Sequence, residues 1–253
     1  IYRPGHADFS YAAKYGHRDH RGGGRSSGRE TVSRVVGGAI AQTFLRREGI
    51  TATAYTHEFG GIQAETIAPE KAHELPYFAP DPSVLELWDK RVTEIKKAGD
   101  TLGGIVEVQI HGVPAGLGEP VFDKLDARLA AACMSVGAVK SVEIGIGRQA
   151  ARLTGSQNNE PPDPSLSDKN YAGGILGGIS NGAPIILRVA VKPIPSIAQE
   201  QEVATTERAL SSYRIQGRHD ISAIPRIVPV LKAMVLLTLA DMLLLQRSAQ
   251  LES

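Results

Sequence analysis

Cysteine is almost absent from this sequence, and so is any imbalance of charge. The 253 residues include a single cysteine, Cys133, which excludes an intrachain disulfide bond and a metal site built from several thiolates. Its neighbours are small and apolar, so we expect a buried and unreactive side chain. With 28 basic and 27 acidic residues the formal net charge is +1. This balance gives no reason to expect nucleic acid or an anionic membrane as a general partner.

A long uninterrupted apolar run is also missing. The most apolar stretch, residues 227–245, is broken by Pro229, Lys232 and Asp241. It is too short and too charged for a membrane span, and it predicts a core helix instead. The first residues have neither the basic nor the apolar region of a signal peptide. These features predict a cytoplasmic protein.

The pattern of predicted elements favours an α+β fold. A chain of this length can bury one sizeable core, and residues 1–253 are interpreted as a single domain. Strands and helices occur without the regular βαβ cadence of a doubly wound sheet. Local patterns predict a helix from Asp81-Pro82 to Gly99, strands at 105–111 and 185–191, and a helix at 225–247. Residues 196–216 are polar and weakly patterned, which predicts a mobile loop.

Basic residues are concentrated near the start of the chain. Between residues 3 and 34 there are seven Lys or Arg residues against three acids. In RGGGRSSGRET (21–31), glycines allow a ligand to approach the backbone closely, and Ser27 with Glu30 fits a helix-capping box. The helix predicted to follow is amphipathic, with apolar residues at helical spacing: Val32, Val35, Val36, Ala39, Ile40 and Phe44.

The same segment predicts an anion site. A helix N-terminus favours a negative charge. Forked contacts to phosphate or carboxylate can come from four arginines: Arg18, Arg21, Arg25 and Arg29. The alternative is a capped helix after a flexible turn, with solvated arginines.

Two other functions remain open on the residues alone. Residues 23–29 approximate a phosphate-binding P-loop, which would suggest a nucleotide-binding phosphotransferase. However, Arg29 stands in place of the lysine and Glu30 in place of the Mg²⁺-binding hydroxyl. The third hypothesis is a basic, non-catalytic RNA-binding module at residues 3–34, where Phe9, Tyr11 and Tyr15 could stack on bases.

Two histidine-containing segments could carry proton transfer. His6 in RPGHAD and His219 in GRHD can move protons near neutral pH, although an isolated histidine is more often structural. Asp220 is either a base or a cap for the helix that follows. His17 and His20 lack further ligands at metal-site spacing, so no metal is predicted.

The ordered motifs resemble those of one enzyme family. They are RPGHAD (3–8), KYGHRDHRGGGRSSGRET (14–31), PAGLGEPVFDKLDA (114–127), NYAGGILGGISNG (170–182) and GRHD (217–220). In this order they are similar to chorismate synthase from Arg3 nearly to the C-terminus. The resemblance implies an α+β layered sandwich of helices and mainly antiparallel sheets.

The resemblance also implies an activity. Chorismate synthases catalyse the anti-1,4-elimination of phosphate from 5-enolpyruvylshikimate-3-phosphate to give chorismate, in the shikimate pathway of aromatic amino acid biosynthesis. The reaction requires reduced FMN without net redox change, and NADPH is a candidate reductant. Family members are typically homotetramers. The implied partner is therefore a small molecule, and neither nucleic acid nor a membrane is expected.

Site residues follow from the same resemblance. His6, near the flavin, and Asp220, which helps the flavin take up the substrate proton, would be catalytic. Substrate anions would be bound by Arg3, Arg29 and Arg218. The flavin would be bound by Arg25, Ser26, Ser27, Gly137, Ala138, Gly177, Lys192, Pro193, Ile194, Pro195, Ser196 and Arg218.

One part of the family pattern has no counterpart here. The family opens with a segment that carries a Gly-Glu-Ser-His-Gly motif and a second catalytic histidine, and this sequence lacks it. We therefore expect the chain to be an N-terminally incomplete form of the enzyme that is weakly active or inactive alone.

Overall fold

Helices and strands alternate irregularly along the chain. The computed structural model describes residues 1–21, 24–161, 163–166, 168–204, 209–215, 217 and 219–249, with the backbone alone for Arg25 and Ala204. The helices are α1 (Asp8–Tyr15), α2 (Thr31–Arg47), α3 (Leu85–Ala98), α4 (Leu125–Met134), α5 (Gly155–Asn158) and α6 (Ile224–Ala249). The strands are β1 (Thr51–Phe59), β2 (Ile62–Gln63), β3 (Gly104–His111), β4 (Val139–Ile144), β5 (Ile175–Leu176), β6 (Ile179–Ser180), β7 (Ile185–Val191), β8 (Glu200–Ala204) and β9 (Leu210–Arg214).

Five of the strands form one antiparallel sheet. Its order is β2-β1-β3-β7-β4, and each pair of neighbours is antiparallel. The register places Val108 opposite both Ala54 and Leu187. Because side chains alternate along a strand, Val106, Val108 and Ile110 share one buried face. The prediction of an α+β fold with mainly antiparallel sheets is confirmed.

Helix α6 lies at the centre of the core. It contacts α2, α4, β1 and β3, and side chains such as Leu231, Val235 and Leu239 are fully buried. Each such side chain stabilises the fold by about 1.5–3 kcal/mol. By length and composition α6 could cross a membrane, but 56% of its most apolar window is buried inside the protein. The helix predicted in the core is confirmed, whereas the expectation that residues 227–245 are too short and too charged for a membrane span is wrong.

Helix α2 packs closely against α6 through a glycine. A Cβ added to Gly38 would lie 2.6 Å from the Cα atom of Ala233, and Ala41 and Leu45 continue the buried face. Since close approach at this point selects small residues, several larger apolar residues of α2 lie on its other side. Three of them are 67%, 59% and 70% exposed: Val32, Val36 and Ile40.

The capping box predicted at the start of α2 is wrong. Ser27 instead caps a 3₁₀ turn at Gly28–Glu30, where its hydroxyl oxygen accepts a hydrogen bond from the backbone N–H of Arg29 at 3.4 Å. The Glu30 carboxylate accepts from Nε of Arg34 at 3.0 Å. Because the Glu30 carboxylate is paired with Arg34, it does not accept the hydrogen bond from the backbone N–H of Ser27 that a capping box requires.

The mobile loop predicted at residues 196–216 is also wrong over most of its described length. Strands β8 and β9 pair there as an antiparallel hairpin, with Glu202 opposite Ser212. Val203 is its one buried apolar residue among those whose side chains are described. Backbone hydrogen bonds build this hairpin without an apolar face, so the sequence carries no alternating pattern. Residues 205–208 and 216 lie outside the described residues.

We expect Gly38→Ala to destabilise the chain, because the new Cβ would overlap the backbone at Ala233 and force α2 away from α6. Overpacking of this kind costs about 1–3 kcal/mol. Gly37→Ala is the matched control, since its Cβ would lie an ordinary 3.4 Å from Cδ2 of Leu237, and alanine stabilises a helix by about 1 kcal/mol relative to glycine. Urea unfolding measures both free energies. Equal changes in the two variants would contradict this packing.

Candidate active site

Three charged residues form a chain of ion pairs at the N-terminus. Asp8 accepts hydrogen bonds from the backbone N–H, Nε and Nη2 of Arg3, at 3.0, 3.0 and 2.8 Å. Nη1 of Arg18 donates to the same carboxylate at 2.9 Å. The Asp8 side chain is 7% exposed, and hydrogen bonding to Arg3 lowers its pKa to about 2. Asp8 is therefore ionised throughout the neutral range.

His6 lies on the loop that Arg3 and Asp8 close. Its Nδ1 is 2.9 Å from the carbonyl oxygen of Pro4, and its Nε2 is 3.3 Å from the hydroxyl of Ser196. Because a carbonyl can only accept, Nδ1 carries the proton and Nε2 accepts from the Ser196 hydroxyl. Partial burial lowers the pKa of His6 below the ordinary histidine value. The ring is thus a neutral acceptor at pH 7.

The segment Lys192–Ser196 packs directly on this loop. The Lys192 ammonium donates to the carbonyl oxygen of Gly5 at 2.8 Å, and a Cβ added to Gly5 would lie 2.6 Å from Cβ of Pro195. Lys192, Ser196, His6 and Arg3 are called the His6 cluster below. The structure therefore brings together predicted catalytic, substrate-binding and flavin-binding residues from opposite ends of the chain.

The predicted flavin residues Gly137 and Ala138 adjoin the same segment. The carbonyl oxygen of Ala138 accepts from the backbone N–H of Lys192 at 2.9 Å. Ala138 has φ of 74°, a left-handed conformation that a non-glycine residue adopts at a cost. No atom lies within 4 Å of a Cβ added to Gly137, so there is open space beside the loop.

Arg34 connects this loop to the start of α2. Its Nη1 donates to the hydroxyl of Ser135 at 2.6 Å, and its Nε donates to Glu30. The arginine therefore fixes residues 24–30 relative to residues 135–138, which are two of the predicted flavin segments. Nothing in the local sequence distinguishes Arg34 from the other arginines of this basic stretch.

The four arginines that were predicted to form an anion site differ in whether an acid already binds them. Arg18 is committed to Asp8, and Arg21 is paired with Asp19 at 3.0 Å. Ser26 lies in a short 3₁₀ turn, Gly24–Ser26, and the side chain of Arg25 lies outside the described residues. Arg29 is exposed, and no hydrogen bond or ion pair involves its side chain within the part of the chain that the structure describes.

Asp220 borders a separate cavity of about 290 Å³, which is also lined by Phe59, Tyr77 and Ile221. Its carboxylate is held by the two terminal nitrogens of Arg226, at 2.9 and 3.1 Å. It does not cap α6, since the N–H of Ile224 is bonded to Ser222. Arg218 lies outside the described residues.

Two consecutive residues link the segments of the predicted catalytic residues. The hydroxyl of Thr101 donates to the carbonyl oxygen of Ile194 at 2.6 Å. The backbone N–H of Leu102 donates to the carbonyl oxygen of Ile221 at 2.8 Å. The segment that contacts His6 and the segment that carries Asp220 are therefore anchored side by side. Sequence reasoning did not single out Thr101, whose neighbours give no motif.

Gly177 is not placed with the others. It lies in the turn between β5 and β6, with φ of 62°, and the adjacent Gly178 accepts from the N–H of Leu125 at 2.8 Å. The contacts that the structure describes for this hairpin are with α4 and residues 114–118. A role of Gly177 in binding flavin stays a prediction.

In this α+β protein the cationic groups of Arg3 and Lys192 lie beside one neutral histidine, an arrangement that suits the class of proteins with a small anionic ligand. Comparison with known proteins identifies the class further. The family model described as chorismate synthase matches residues 1–244. The chain belongs to the chorismate synthase family. It is accordingly a lyase, and membership implies a small-molecule substrate and a flavin cofactor.

Individual relatives agree with this assignment. Chorismate synthase from Nitratidesulfovibrio vulgaris strain Hildenborough is 64% identical over 247 residues, covering 98% of this chain and 70% of the relative. The enzyme from Maridesulfovibrio salexigens is 62% identical, covering 98% and 71%. A crystal structure of chorismate synthase superimposes with a TM-score of 0.77 at 32% identity, covering 95% of this chain and 70% of that one.

We expect His6 to titrate below the ordinary histidine pKa of 6.5, because burial disfavours the imidazolium ion. The unfolded chain then binds the proton more readily than the folded chain. His6 therefore contributes stability above pH 6.5 that is lost as the pH falls through its lowered pKa. Histidine NMR spectra recorded against pH, with His6→Gln for assignment, measure the value. A pKa at or above 6.5 would contradict the expectation that burial disfavours the charged ring.

Proposed function

We propose that this chain eliminates phosphate from 5-enolpyruvylshikimate-3-phosphate to give chorismate, in the shikimate pathway and with reduced FMN. The observation that carries the proposal is the His6 cluster, where a neutral histidine stands beside Arg3 and Lys192. This donor set suits a substrate with one phosphate and two carboxylates. The reaction breaks a ring C–H bond and the C–O bond to phosphate, and adds one double bond to the ring.

Arginines would bind the substrate anions. Arg29 is exposed and its side chain makes no bond among the described residues, so it can turn to an incoming phosphate or carboxylate. Arg3 is held in one orientation by Asp8. We assign Arg218 to the same role by its motif. Charge-assisted hydrogen bonds of this kind contribute roughly 1.5–3 kcal/mol each.

His6 and Asp220 would handle protons. Neutral His6 can accept a proton at Nε2, where the Ser196 hydroxyl now donates, and can return it to an atom placed there. Asp220 offers a carboxylate whose orientation Arg226 fixes. Because the two lie in segments anchored by Thr101 and Leu102, both could face one bound substrate.

The residues present fit a flavin mononucleotide. A phosphate needs cationic and hydroxyl donors, which Arg25, Ser26 and Ser27 would supply together with Lys192. The flat ring needs space against backbone, which the open side of Gly137 and the loop through Ala138 provide. Residues 193–196 would complete the wall. Reduced FMN, when bound, supplies the electron-rich ring on which the family's elimination depends.

We further propose that the protein is a cytoplasmic homotetramer and that NADPH is a candidate reductant for its flavin. Multi-angle light scattering in the presence of FMN measures the oligomeric state. Phosphate release in air with FMN and NADPH, compared with FMN alone, shows whether the protein reduces its own cofactor.

We expect weak phosphate release from 5-enolpyruvylshikimate-3-phosphate by this chain under anaerobic conditions, and only when chemically reduced FMN is added. His6→Asn and Asp220→Asn should each lower kcat by about 10²–10⁴-fold, the usual contribution of a positioned proton-transfer group. His73→Asn is the control, since His73 is exposed and pairs only with Glu74 among the described residues.

The Nitratidesulfovibrio vulgaris relative serves as the positive control, in an assay that detects a single turnover per chain. Release by the relative but none by this chain would contradict the proposed activity of the chain alone. Release without reduced flavin would contradict the proposed cofactor.

A further inference from the structure

Arg18 and Arg3 are both paired with Asp8, and these three residues are called the Arg18–Asp8–Arg3 relay below. The relay joins the His6 cluster through Arg3. Arg18 is only 17% exposed. Besides its bond to Asp8, its Nη2 donates to the carbonyl oxygen of Ile1 at 2.6 Å, and its guanidinium lies over the ring of Tyr2 at 5.4 Å. Arg18 therefore has a structural role, which is to hold the Asp8 carboxylate in place.

Asp8 in turn occupies only one edge of Arg3. A guanidinium has five N–H donors, and Asp8 accepts from Nε and from one hydrogen on Nη2. Among the residues that the structure describes, none accepts a hydrogen bond from Nη1 of Arg3. The edge formed by Nη1 and Nη2 is therefore unused. It is the edge that binds a carboxylate or phosphate in a forked, two-bond geometry.

The charges of the relay leave a net attraction for an anion. Two arginines and one carboxylate sum to +1, and Asp8 is already neutralised by Arg18. The side chain of Arg3 is 36% exposed, in contrast to that of Arg18. The relay thus holds a partly exposed arginine in one orientation while leaving its second edge without a hydrogen-bond acceptor among the described residues.

We propose that Asp8 is a positioning residue, held by Arg18, that aims the unused edge of Arg3 at an oxyanion of the substrate. This inference rests on the proposed function, because it takes 5-enolpyruvylshikimate-3-phosphate as the ligand. Asp8 itself touches no substrate atom. Its effect on binding must therefore pass through Arg3, which makes the two residues energetically coupled.

A double-mutant cycle tests the coupling. Isothermal titration calorimetry measures the Kd of 5-enolpyruvylshikimate-3-phosphate with oxidised FMN, so that no turnover occurs. Asp8→Asn keeps an oxygen for the backbone N–H of Arg3 but loses the charge that holds the guanidinium. We expect Asp8→Asn and Arg3→Met each to weaken binding about tenfold, one factor of ten being 1.4 kcal/mol. The double variant should bind no more weakly than Arg3→Met alone.

Asp19→Asn is the matched control. Asp19 accepts from the backbone N–H, Nε and Nη2 of Arg21 in the same pattern, but this pair is exposed and lies outside the His6 cluster. We expect its Kd to equal that of the wild type. Asp8→Glu, which keeps the charge, should recover part of the affinity lost in Asp8→Asn, whereas a purely steric role would give no recovery.

Two results would overturn the inference. The first is an unchanged Kd for Asp8→Asn. The second is a loss of affinity on adding Asp8→Asn that is equally large in the Arg3→Met variant and in the wild type. That result would show that Asp8 acts independently of Arg3. If the wild-type chain does not bind the substrate, the proposed function is overturned as well. If it binds the substrate but Asp8 and Arg3 are not coupled, only this inference is overturned.

Discussion

The close contact between α2 and α6 is the constraint on which the rest of the structure depends. Gly38 lets the two backbones meet at Ala233, and α6 can then cover the apolar face of the sheet. Segments of the candidate site are connected to both of these helices. The start of α2 reaches the loop at residues 135–138 through Arg34, and the residues before α6 are fixed by the bond between Leu102 and Ile221. Core packing therefore sets where the loops of the site begin.

Every acid of the basic segment is paired with an arginine, and this pairing limits which basic residues keep donors for a ligand. Each of its three acids, Asp8, Asp19 and Glu30, is paired with an arginine. A buried or half-buried arginine left unpaired would be costly, so most of the cationic groups serve the fold. One edge of Arg3 and the side chain of Arg29 keep unused donors among the described residues, which is why both are proposed to bind the ligand.

Local sequence patterns were sufficient where a single element decides the outcome. Asp81 accepts from the N–H of Ser83 and caps a 3₁₀ turn, Pro82–Val84, that leads into α3. The helix ends at Gly99 in the left-handed conformation, as its glycine predicted. The buried strands β3 and β7 and helix α6 were equally predictable from apolar runs. The β8–β9 hairpin and the orientation of α2 were not, since both depend on neighbours that the local sequence does not contain.

The sequence by itself determined the family, through motifs such as RPGHAD and GRHD, and it identified His6, Arg3 and Lys192 as residues of interest. Only the tertiary structure decided which of them meet. Lys192 bonds to Gly5 across 187 positions, and Thr101 bonds to Ile194 across 93. Contacts this distant form because the core fixes the ends of each loop. No local pattern encodes them, so the roles of Asp8, Arg34 and Thr101 emerged only from the folded chain.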